Sequence, residues 1–463
     1  MGNDALLTKL RKAAGDEAVL TDPDVIDSYS RDMMPLAPSG RPLAVVKPSE
    51  VEQVQAIVRA CAEAKVPIVP RGAGSGLSGA ANAIDGCVML VMTKFDQVLE
   101  IDAGNRLAVV QPGVVNLDFR NAVEKHGLFY PPDPSSYDWC TIGGNLSTNA
   151  GGLCCVKYGV TTDSVLGLEV VLADGSLLRT GRRTVKGVAG YDLTKLFIGS
   201  EGTLGVITKA TVALRPLPQA PATLVAGFDH TDKAGEAVAR IVREGLVPSL
   251  MEIMDASSIK AAEHHLNTDL GAGSDCQALL LCQSDSGAEV ARRELAAIEQ
   301  ICSDCEATMT YATEDLAEGK MLLQARRVVL TALEEYGVWL TDDVSVPRTR
   351  IAELIQGCER ISDEVGLRIA VVGHAGDGNM HPTIVYQAGN EDEFARARTA
   401  FDAILDVGLS LGGTVTGEHG VGKIKKDWLA REIGPVGIRV HRQIKQALDP
   451  DNVFNPGSMF SMT

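Results

Sequence analysis

Three glycine-rich segments in the first half of the chain limit what it can fold into. The first, residues 71–79, reads Arg-Gly-Ala-Gly-Ser-Gly-Leu-Ser-Gly and follows a short apolar run at 66–69 that is typical of a strand. Glycines let backbone N–H groups turn toward an anion and approach it closely, so this loop favours a pyrophosphate ligand. The loop lacks the Gly-Lys-Ser/Thr end of a P-loop, so the nucleotide fold built on that motif is not indicated.

The second and third segments strengthen the case for a bound cofactor. Residues 131–152 carry Pro-Pro-Asp-Pro-Ser-Ser, followed by Cys-Thr-Ile-Gly-Gly-Asn-Leu-Ser-Thr-Asn-Ala-Gly-Gly from residue 140 onward. This stretch offers many small hydrogen-bond donors and little bulk, as a long, flat, polar ligand laid against backbone requires. Residues 199–208 are again rich in glycine and lead straight into a strand. A set of plain flexible turns is the weaker interpretation.

Bulk composition excludes several classes of protein. The chain has 463 residues, of which 45% are hydrophobic, enough for two or three domains. Its net charge of -17 argues against nucleic acid or an anionic membrane as a partner. No apolar run reaches transmembrane length and the start of the chain is too polar for a secretory signal. The expected location is the cytoplasm, and peripheral attachment to the inner face of the membrane is the alternative.

Cysteine usage fits reduced thiols. The ten cysteines have no regular spacing, and the one C-x-x-C, Cys302 to Cys305, is weak support for a metal or redox site. We expect no iron–sulfur cluster in this chain.

Local patterns predict an α+β chain with a boundary near residue 218. A helix is expected over 50–64, with a capping box formed by Ser49 and Glu52. Prolines at 215–221 mark the domain boundary. Beyond it, further elements alternate: strands at 276–283 and 368–374, and helices at 232–244, 287–302, 314–336, 349–365 and 437–448. The expected parts are residues 1–218, 219–410 and 411–463.

The three glycine-rich segments, in this order, resemble the FAD-binding domain of the vanillyl-alcohol oxidase and p-cresol methylhydroxylase superfamily. Within it the chain is similar to the D-lactate dehydrogenase, glycolate oxidase and D-2-hydroxyglutarate dehydrogenase branch, from about residue 40 to 457. The resemblance implies an α+β fold: a two-subdomain FAD-binding domain and a substrate domain with a broad antiparallel sheet. Residues 411–463 would pack back on the FAD and metal site.

The resemblance also implies which residues contact FAD. The loop 71–79 would hold the pyrophosphate, 132–151 would line the flavin and ribityl chain, and 201–207 would meet the adenine side. Relatives that tether FAD covalently carry a His in the first loop, and this loop has none, so FAD is expected to bind non-covalently. The individual positions expected to bind cofactor are Arg71, Gly72, Ala73, Gly74, Ser75, Gly76, Leu77, Pro132, Ser135, Thr141, Gly143, Gly144, Asn145, Ser147, Asn149, Gly151, Glu201, Gly202, Ile207 and Asn455.

Two histidines flank an Asp377-Gly378 dipeptide that favours a two-residue hairpin turn. With that turn, His374 lies directly opposite His381, and the two imidazoles converge on one cation. Residues 416–420, Thr-Gly-Glu-His-Gly, offer a carboxylate as third ligand. Two His and one carboxylate leave coordination positions open, as in catalytic metal sites.

In the family, the two histidines and the glutamate of these motifs bind a divalent ion, Zn or Mn, and the next histidine is the base. The resemblance carries these roles to His374, His381 and Glu418 as ligands and to His419 as base. The ion would lower the pKa of the substrate hydroxyl, His419 would take its proton, and flavin N5 would receive the hydride from C2. The other five histidines are expected to be solvated.

The substrate is expected to be a small D-2-hydroxy acid. Arg326 aligns with the arginine that binds the substrate carboxylate in relatives, and Arg327 is the alternative. Hydroxyglutarate-type relatives carry a Lys before an Asp-x-Ser-x-Pro stretch, but residues 343–347 are preceded by Thr-Asp, and Thr383 replaces a further Asn. These differences favour a monocarboxylate such as D-lactate or glycolate.

Three alternatives and several partners stay open. The chain is alternatively a D-2-hydroxyglutarate dehydrogenase, the flavin subunit of a multi-subunit glycolate oxidase, or a non-redox enzyme like alkyl-dihydroxyacetone-phosphate synthase, which departs from the metal motif. The electron acceptor is a quinone, an electron-transfer flavoprotein, a cytochrome or an iron–sulfur subunit. The oligomeric state is open, with a homodimer among the options.

Overall fold

Helices and strands are interspersed along the whole chain. The structure is a computed structural model and describes residues 2–271 and 273–462. Its helices are α1 (Asn3–Ala14), α2 (Pro23–Asp27), α3 (Val51–Ala64), α4 (Asn116–Glu124), α5 (Ile142–Thr148), α6 (Cys155–Tyr158), α7 (Leu193–Phe197), α8 (Thr231–Arg243), α9 (Ala256–Leu266), α10 (Ala288–Asp304), α11 (Leu316–Arg327), α12 (Val329–Glu334), α13 (Ile351–Val365), α14 (Glu391–Ser410) and α15 (Lys426–Leu448).

The strands range from two to eight residues in length. They are β1 (Val19–Leu20), β2 (Ala44–Val46), β3 (Ile68–Arg71), β4 (Val88–Val91), β5 (Val98–Asp102), β6 (Leu107–Val110), β7 (Leu128–Phe129), β8 (Val165–Val171), β9 (Leu177–Arg179), β10 (Val206–Ala213), β11 (Arg215–Pro216), β12 (Ala222–Phe228), β13 (Leu250–Asp255), β14 (Ala278–Ser284), β15 (Met309–Thr313), β16 (Val338–Thr341), β17 (Val344–Ser345), β18 (Arg368–His374) and β19 (Asn379–Tyr386).

The chain forms two compact units. The first contains Met1–Gly151, Gly159–Leu217 and Glu418–Thr463, and the second contains Gly152–Tyr158 and Pro218–Gly417. The division after Leu217 lies next to the boundary expected near 218. The C-terminal part joins the first unit from Glu418 onward rather than from residue 411, and the short segment Gly152–Tyr158 belongs to the second unit, which the sequence pattern did not indicate.

The first unit holds two large sheets and a small one that pairs β7 with β11. In the order β1-β2-β4-β3, strands β2, β4 and β3 are parallel. The other large sheet, in the order β5-β6-β10-β8-β9, is antiparallel, and its β8–β9 hairpin turns at Asp174-Gly175. Each large sheet has its own buried apolar cluster. This is the expected two-subdomain architecture of the FAD-binding domain.

Helix α3 shows how local sequence sets an element in this unit. Its buried residues recur at helical spacing and pack on the parallel sheet: Val54, Ile57, Val58 and Cys61. The helix begins after Glu50, and the Gln53 side chain accepts hydrogen bonds from the backbone N–H groups of Ser49, at 2.8 Å, and Glu50, at 3.2 Å. The expected capping box of Ser49 with Glu52 was therefore wrong by one residue, because Gln53 reaches back in the same way as a glutamate.

The second unit is built on one broad antiparallel sheet in the order β15-β12-β14-β13-β18-β19-β16, with β17 added beside β19. Strands β13, β14 and β19 are buried along their whole length, as a sheet covered on both faces requires. Residues from α9 and α12 pack against the face that carries Leu250, Met254 and Val372. The expectation of a broad antiparallel sheet is confirmed.

Two predicted helices differ in detail. The helix expected over 314–336 is two helices, α11 and α12, separated at Val328. The C-terminal helix begins at Lys426 instead of 437 and bends where Gly434, with a φ of 67°, precedes Pro435. Proline lacks the N–H that an unbroken helix needs, which explains the bend. No described helix combines the length and apolar character that crossing a membrane would need.

Candidate functional site

The loop 71–79 of the first unit begins where β3 ends. The guanidinium of Arg71 donates to the carbonyl oxygens of Arg31, at 2.8 Å, and Ala81, at 3.2 Å, and so bridges the chain on either side of the loop. Burial lowers the pKa of Arg71, and the neighbouring Asp32 opposes that shift. The Arg71 side chain is thus occupied in bracing the loop, which leaves the loop backbone to meet a ligand.

Glycine is required at two positions of this loop. A Cβ at Gly72 would lie 2.3 Å from Oγ1 of Thr141, and Gly74 has a φ of +88°, a conformation that side chains disfavour. Thr141 caps α5, where its hydroxyl accepts a hydrogen bond from the backbone N–H of Gly144 at 3.3 Å. The first glycine-rich segment therefore lies directly against the start of the second.

Within α5, some predicted cofactor residues face the protein interior. The Asn145 side chain is buried and accepts a hydrogen bond from Asn116 Nδ2 at 3.0 Å. A Cβ at Gly143 would lie 2.5 Å from Cβ of Pro112, so this glycine allows close packing. Asn149 ends the helix with a φ of 58°. Their contribution to a cofactor site is to shape the backbone.

The third segment binds to the second through backbone hydrogen bonds. The N–H of Glu201 donates to the Ser147 carbonyl at 2.8 Å. The Glu201 carboxylate accepts the N–H groups of Val421, at 2.7 Å, and Gly422, at 2.8 Å. Burial raises the pKa of Glu201 to about 7, against the lowering effect of those two hydrogen bonds. One residue thus ties the third segment to both the second segment and the C-terminal part of the chain.

Asn455 joins the first and third segments. Its Nδ2 donates to the carbonyl oxygens of Ala80 and Glu201, each at 2.8 Å, and its backbone N–H donates to Ile68 at 2.8 Å. Its Oδ1 is buried and accepts no hydrogen bond from any residue that the structure describes. A buried acceptor without a donor is costly, which suits a position beside a ligand.

The remaining predicted cofactor positions fall into three groups. Pro132 is buried, and its carbonyl accepts from Asn116 at 3.2 Å. Ser135 is exposed, whereas Gly151, Gly202 and Ile207 are buried, the last in the core of β10. Half-buried positions make up the third group: Ala73, Ser75, Gly76, Leu77, Gly144 and Ser147.

In the second unit, the predicted pairing of His374 with His381 was wrong by two residues. His374 pairs with Asn379, because the turn spans four residues, 375–378, with the N–H groups of Asp377 and Gly378 both donating to the His374 carbonyl. A shift of two keeps every side chain on its face of the sheet. The two imidazoles therefore still meet: their centroids are 5.0 Å apart, and a ring nitrogen of each lies within 4.8 Å of the other.

Glu252 is a site residue that sequence reasoning missed. It lies on β13 directly opposite His374, and its Oε1 is 2.6 Å from Nδ1 of that histidine. Its Oε2 is 2.9 Å from Nε of Arg326, in the last turn of α11. The one sequence trace of this role is a glutamate inside the apolar strand Leu250–Asp255. The partners are far away in sequence, so the spacing of residues gives no hint of them.

Asp343 is a second residue that was missed. Its Oδ1 accepts a hydrogen bond from Nδ2 of Asn379 at 2.7 Å, and its Oδ2 accepts from Oγ1 of Thr416, at 2.5 Å, and from the N–H of Gly417, at 3.0 Å. The residue is fully buried. It fixes residues 416–417 beside the start of β19. His381 lies on this strand, and His374 lies on the neighbouring strand β18.

Glu418 and His419 follow this anchored stretch. Gly417 is the last residue of the second unit, and its N–H is hydrogen-bonded to Asp343. Glu418 is the next residue, so its Cα lies about 3.8 Å from the Cα of Gly417. The Glu418 and His419 side chains are 13% and 17% exposed, and Oε1 of the first lies 3.9 Å from Nε2 of the second. Neither side chain points freely into solvent.

The alternative arginine and the other histidines differ in environment. Arg327 is exposed, whereas Arg326 is buried. Thr383 is buried and donates to Oγ1 of Thr341 at 3.1 Å. The histidines outside the site are exposed or half-buried, in line with the expectation of solvated side chains: His126, His230, His264, His265 and His441. Cys302 and Cys305 are buried.

Comparison with protein families identifies both parts of the chain. Residues 42–181 match an FAD binding domain, and residues 217–459 match the C-terminal domain of FAD linked oxidases. The chain is 42% identical to glycolate oxidase subunit GlcD of Bacillus subtilis, over 94% of this chain and 92% of the relative. It is 34% identical to D-lactate dehydrogenase of Anaerostipes hadrus, over 97% of this chain and 96% of the relative.

Solved structures show the same fold at lower identity. p-Cresol methylhydroxylase with substrate bound matches with a TM-score of 0.83 and 22% identity, over 99% of this chain and 97% of that one. An alkyldihydroxyacetonephosphate synthase matches with a TM-score of 0.74 and 18% identity, over 98% of this chain and 85% of that one. At such identities these likenesses concern the fold alone. The family matches show that the chain is a flavin-dependent oxidoreductase of the FAD linked oxidase family.

Proposed function

We propose that this enzyme oxidises a D-2-hydroxy acid with a single carboxylate, such as D-lactate or glycolate, to the 2-oxo acid. Relatives named glycolate oxidase subunit and D-lactate dehydrogenase support hydroxy acid oxidation. The observation that supports the proposal most is the buried group in which Glu252 contacts both Arg326 and His374. This group places Arg326, the proposed carboxylate-binding side chain, and His374, a proposed metal ligand, against the same glutamate.

The first unit fits a non-covalently held FAD. Residues from the three glycine-rich segments and Asn455 contact one another, and the buried Oδ1 of Asn455 needs a donor. When bound, FAD supplies the hydride acceptor at N5. The loop 71–79 and the 199–205 turn would hold the cofactor through backbone groups, since the side chains of Arg71 and Glu201 bond within the protein.

His374, His381 and Glu418 would hold a divalent ion, Zn or Mn. The two imidazoles are buried neighbours, one of them oriented by a carboxylate, as is usual for metal-bound histidines. Glu418 is tethered to the anchored Gly417. When bound, the ion supplies a Lewis acid for the substrate hydroxyl.

His419 and Arg326 would then act on the substrate itself. His419 accepts the hydroxyl proton through its imidazole, the group used most often in general-base catalysis. Arg326 binds the carboxylate: its Nε lies 2.9 Å from Oε2 of Glu252 in an ion pair without a hydrogen bond, and its two Nη atoms offer N–H donors for a bidentate contact. Holding the carboxylate here would restrict how C2 and the hydrogen that it loses are oriented for transfer.

Charge in the second unit disfavours a second carboxylate on the substrate. Thr341 and Thr383 form a neutral pair where hydroxyglutarate-type relatives place polar ligands, and the fully buried Asp342 and Asp343 are acidic. A second carboxylate would be desolvated near like charges without a cation.

The test is to mix the purified FAD-loaded protein with D- and L-2-hydroxy acids in the absence of air and follow bleaching of the flavin absorbance band. We expect D-lactate, glycolate or a near homologue to bleach it, and L-lactate to leave it unchanged. Equal bleaching by both enantiomers of lactate, or bleaching by D-2-hydroxyglutarate alone, would contradict the proposal.

A second candidate is that the chain works as the flavin subunit of a larger oxidase. The relatives named as subunits of glycolate oxidase favour it. If the isolated protein reduces an artificial dye with D-lactate or glycolate, the active site is complete in this chain; if it does so only with added subunits, the second candidate is correct. The physiological electron acceptor is proposed to be a separate redox protein or a quinone.

A further inference from the structure

We propose that Glu252 is a positioning residue that fixes the metal ligand His374 and the substrate-binding Arg326 at the same time. The inference rests on the proposed function, because it assigns both partners the roles given there. Glu252 itself touches neither substrate nor cofactor in this scheme. It acts through the two side chains that it holds.

The geometry commits both carboxylate oxygens. Oε1 lies 2.6 Å from Nδ1 of His374 and Oε2 lies 2.9 Å from Nε of Arg326. The side chains of Glu252, His374 and Arg326 are 0%, 5% and 10% exposed. Bulk water can therefore do little to replace their contacts with one another. A buried carboxylate is tolerated when each oxygen has a charged or hydrogen-bonding partner, and this one has two.

For His374, the contact decides which nitrogen is available. An Nδ1 that faces a carboxylate carries the hydrogen, so Nε2 is left as the lone-pair nitrogen for an ion. The β13–β18 register, which sets Glu252 opposite His374, makes this orientation a property of the sheet. His381, two residues beyond the partner of His374 on β19, shares the same face.

For Arg326, the contact orders a long side chain before the substrate arrives. The residue is in the last turn of α11, and Glu252 is its one ion-pair partner within 4.0 Å among the described residues. An ion pair to a buried carboxylate restricts where the guanidinium can lie, which lowers the entropy lost on carboxylate binding. Removing Glu252 would release both the imidazole and the guanidinium.

The test is Glu252→Gln, in which one amide oxygen can serve only one of the two donors. The amide nitrogen must then face either the His374 N–H or the guanidinium. In FAD-loaded, substrate-free protein we expect the affinity for Mn²⁺, followed by electron paramagnetic resonance, to fall about 10–100-fold. The KM for D-lactate or glycolate should rise at least about tenfold under saturating Mn²⁺, while kcat changes less. Glu252→Asp, which keeps the charge with a shorter reach, should recover part of both losses.

Two variants separate coupling from general damage. Arg326→Gln should weaken acid binding but leave Mn²⁺ affinity within about twofold. The control is Glu294→Gln, on α10 of the same unit, whose carboxylate accepts from the N–H of Val247 at 3.0 Å and from the Ser284 hydroxyl but contacts no histidine. It should change neither affinity.

The outcomes discriminate. If Glu252→Gln binds Mn²⁺ and the acid as the unaltered protein does, the inference is overturned while the proposed function stands. If Glu252→Gln and the control Glu294→Gln lose FAD content and thermal stability equally, the role of Glu252 is structural and the inference is again overturned. If the unaltered protein binds neither Mn²⁺ nor Zn²⁺, the metal-assisted reaction proposed as its function is contradicted.

Discussion

The carboxylate of Asp343 accepts the backbone N–H of Gly417 at 3.0 Å, and Gly417 is the residue immediately before Glu418. The same carboxylate holds Thr416 and Asn379. Residues 416 and 417, which directly precede Glu418 in the chain, are thus fixed to the sheet that carries the two histidines.

Replacing this anchor should loosen the loop. Asp343→Asn offers one acceptor oxygen where three donors converge, so at least one buried N–H or hydroxyl is left unpaired, at a cost of about 1–3 kcal/mol. We expect a lower thermal unfolding temperature and weaker Mn²⁺ binding. Thr416→Val removes only one donor and should show a smaller effect of about 1 kcal/mol. Equal metal affinity in Asp343→Asn and the unaltered protein would contradict the anchoring role.

His419→Ala is expected to keep FAD and metal and to lose flavin reduction by D-lactate or glycolate by about 10²–10⁴-fold, the range of a removed general base. The flavin absorbance spectrum and the metal content measure retention, and anaerobic stopped-flow absorbance measures reduction. Near-normal reduction in this variant would remove His419 from the mechanism.

Arg326 and Arg327 form a natural matched pair. Arg326→Lys keeps a charge near Glu252 but lacks the planar fork, so kcat/KM should fall about 10–100-fold. Arg327→Lys changes an exposed side chain and should leave kcat/KM within about twofold. Steady-state kinetics with an artificial electron acceptor checks both. The reverse ranking would transfer the role to Arg327.

Glu201 predicts a specific pH dependence of stability. Its pKa in the folded protein is about 7, above the ordinary value of 4.5, so the folded state binds more protons between those pH values. The contribution of Glu201 to stability is therefore full below about pH 4.5 and is lost as the pH rises through 7, by on the order of 3 kcal/mol. Scanning calorimetry of the FAD-free protein at pH 5 to 8 measures it.

The comparison is with Glu201→Gln, which cannot ionise. As the pH rises from 5 to 8, the unfolding temperature of the unaltered protein should fall relative to that of this variant. The exposed Glu124→Gln substitution on α4 serves as control and should show a constant difference. A constant difference for Glu201→Gln as well would refute the shifted pKa.

Gly72→Ala should reduce FAD content, because the new methyl group would lie 2.3 Å from Oγ1 of Thr141 and force the loop away from α5. Gly104→Ala places a methyl at an ordinary distance, 3.5 Å from the Asp102 carboxylate, and should retain FAD. The ratio of flavin to protein absorbance after purification distinguishes them. Full FAD occupancy in Gly72→Ala would mean that the loop approaches α5 less closely than described.

Local features of the site were predictable from sequence, and long-range partners were not. The strand 368–374 was predicted to the residue, since its apolar run ends at a turn. The shared face of His374 and His381 followed from strand periodicity, but their register did not, because Asp-Gly also occurs at the end of a four-residue turn. Glu252 and Asp343 were missed because hydrogen bonds across a sheet depend on strand order, which no local pattern encodes.

The contacts of Glu201 and Ile68 also bear on biosynthesis. Ile68, on β3, pairs with Phe454, and the buried Glu201 carboxylate is satisfied by amides at 421–422. A nascent chain that has emerged only as far as residue 217 lacks both partners. The first unit therefore cannot complete its core or pair the Glu201 carboxylate before residues 421–454 have been synthesised.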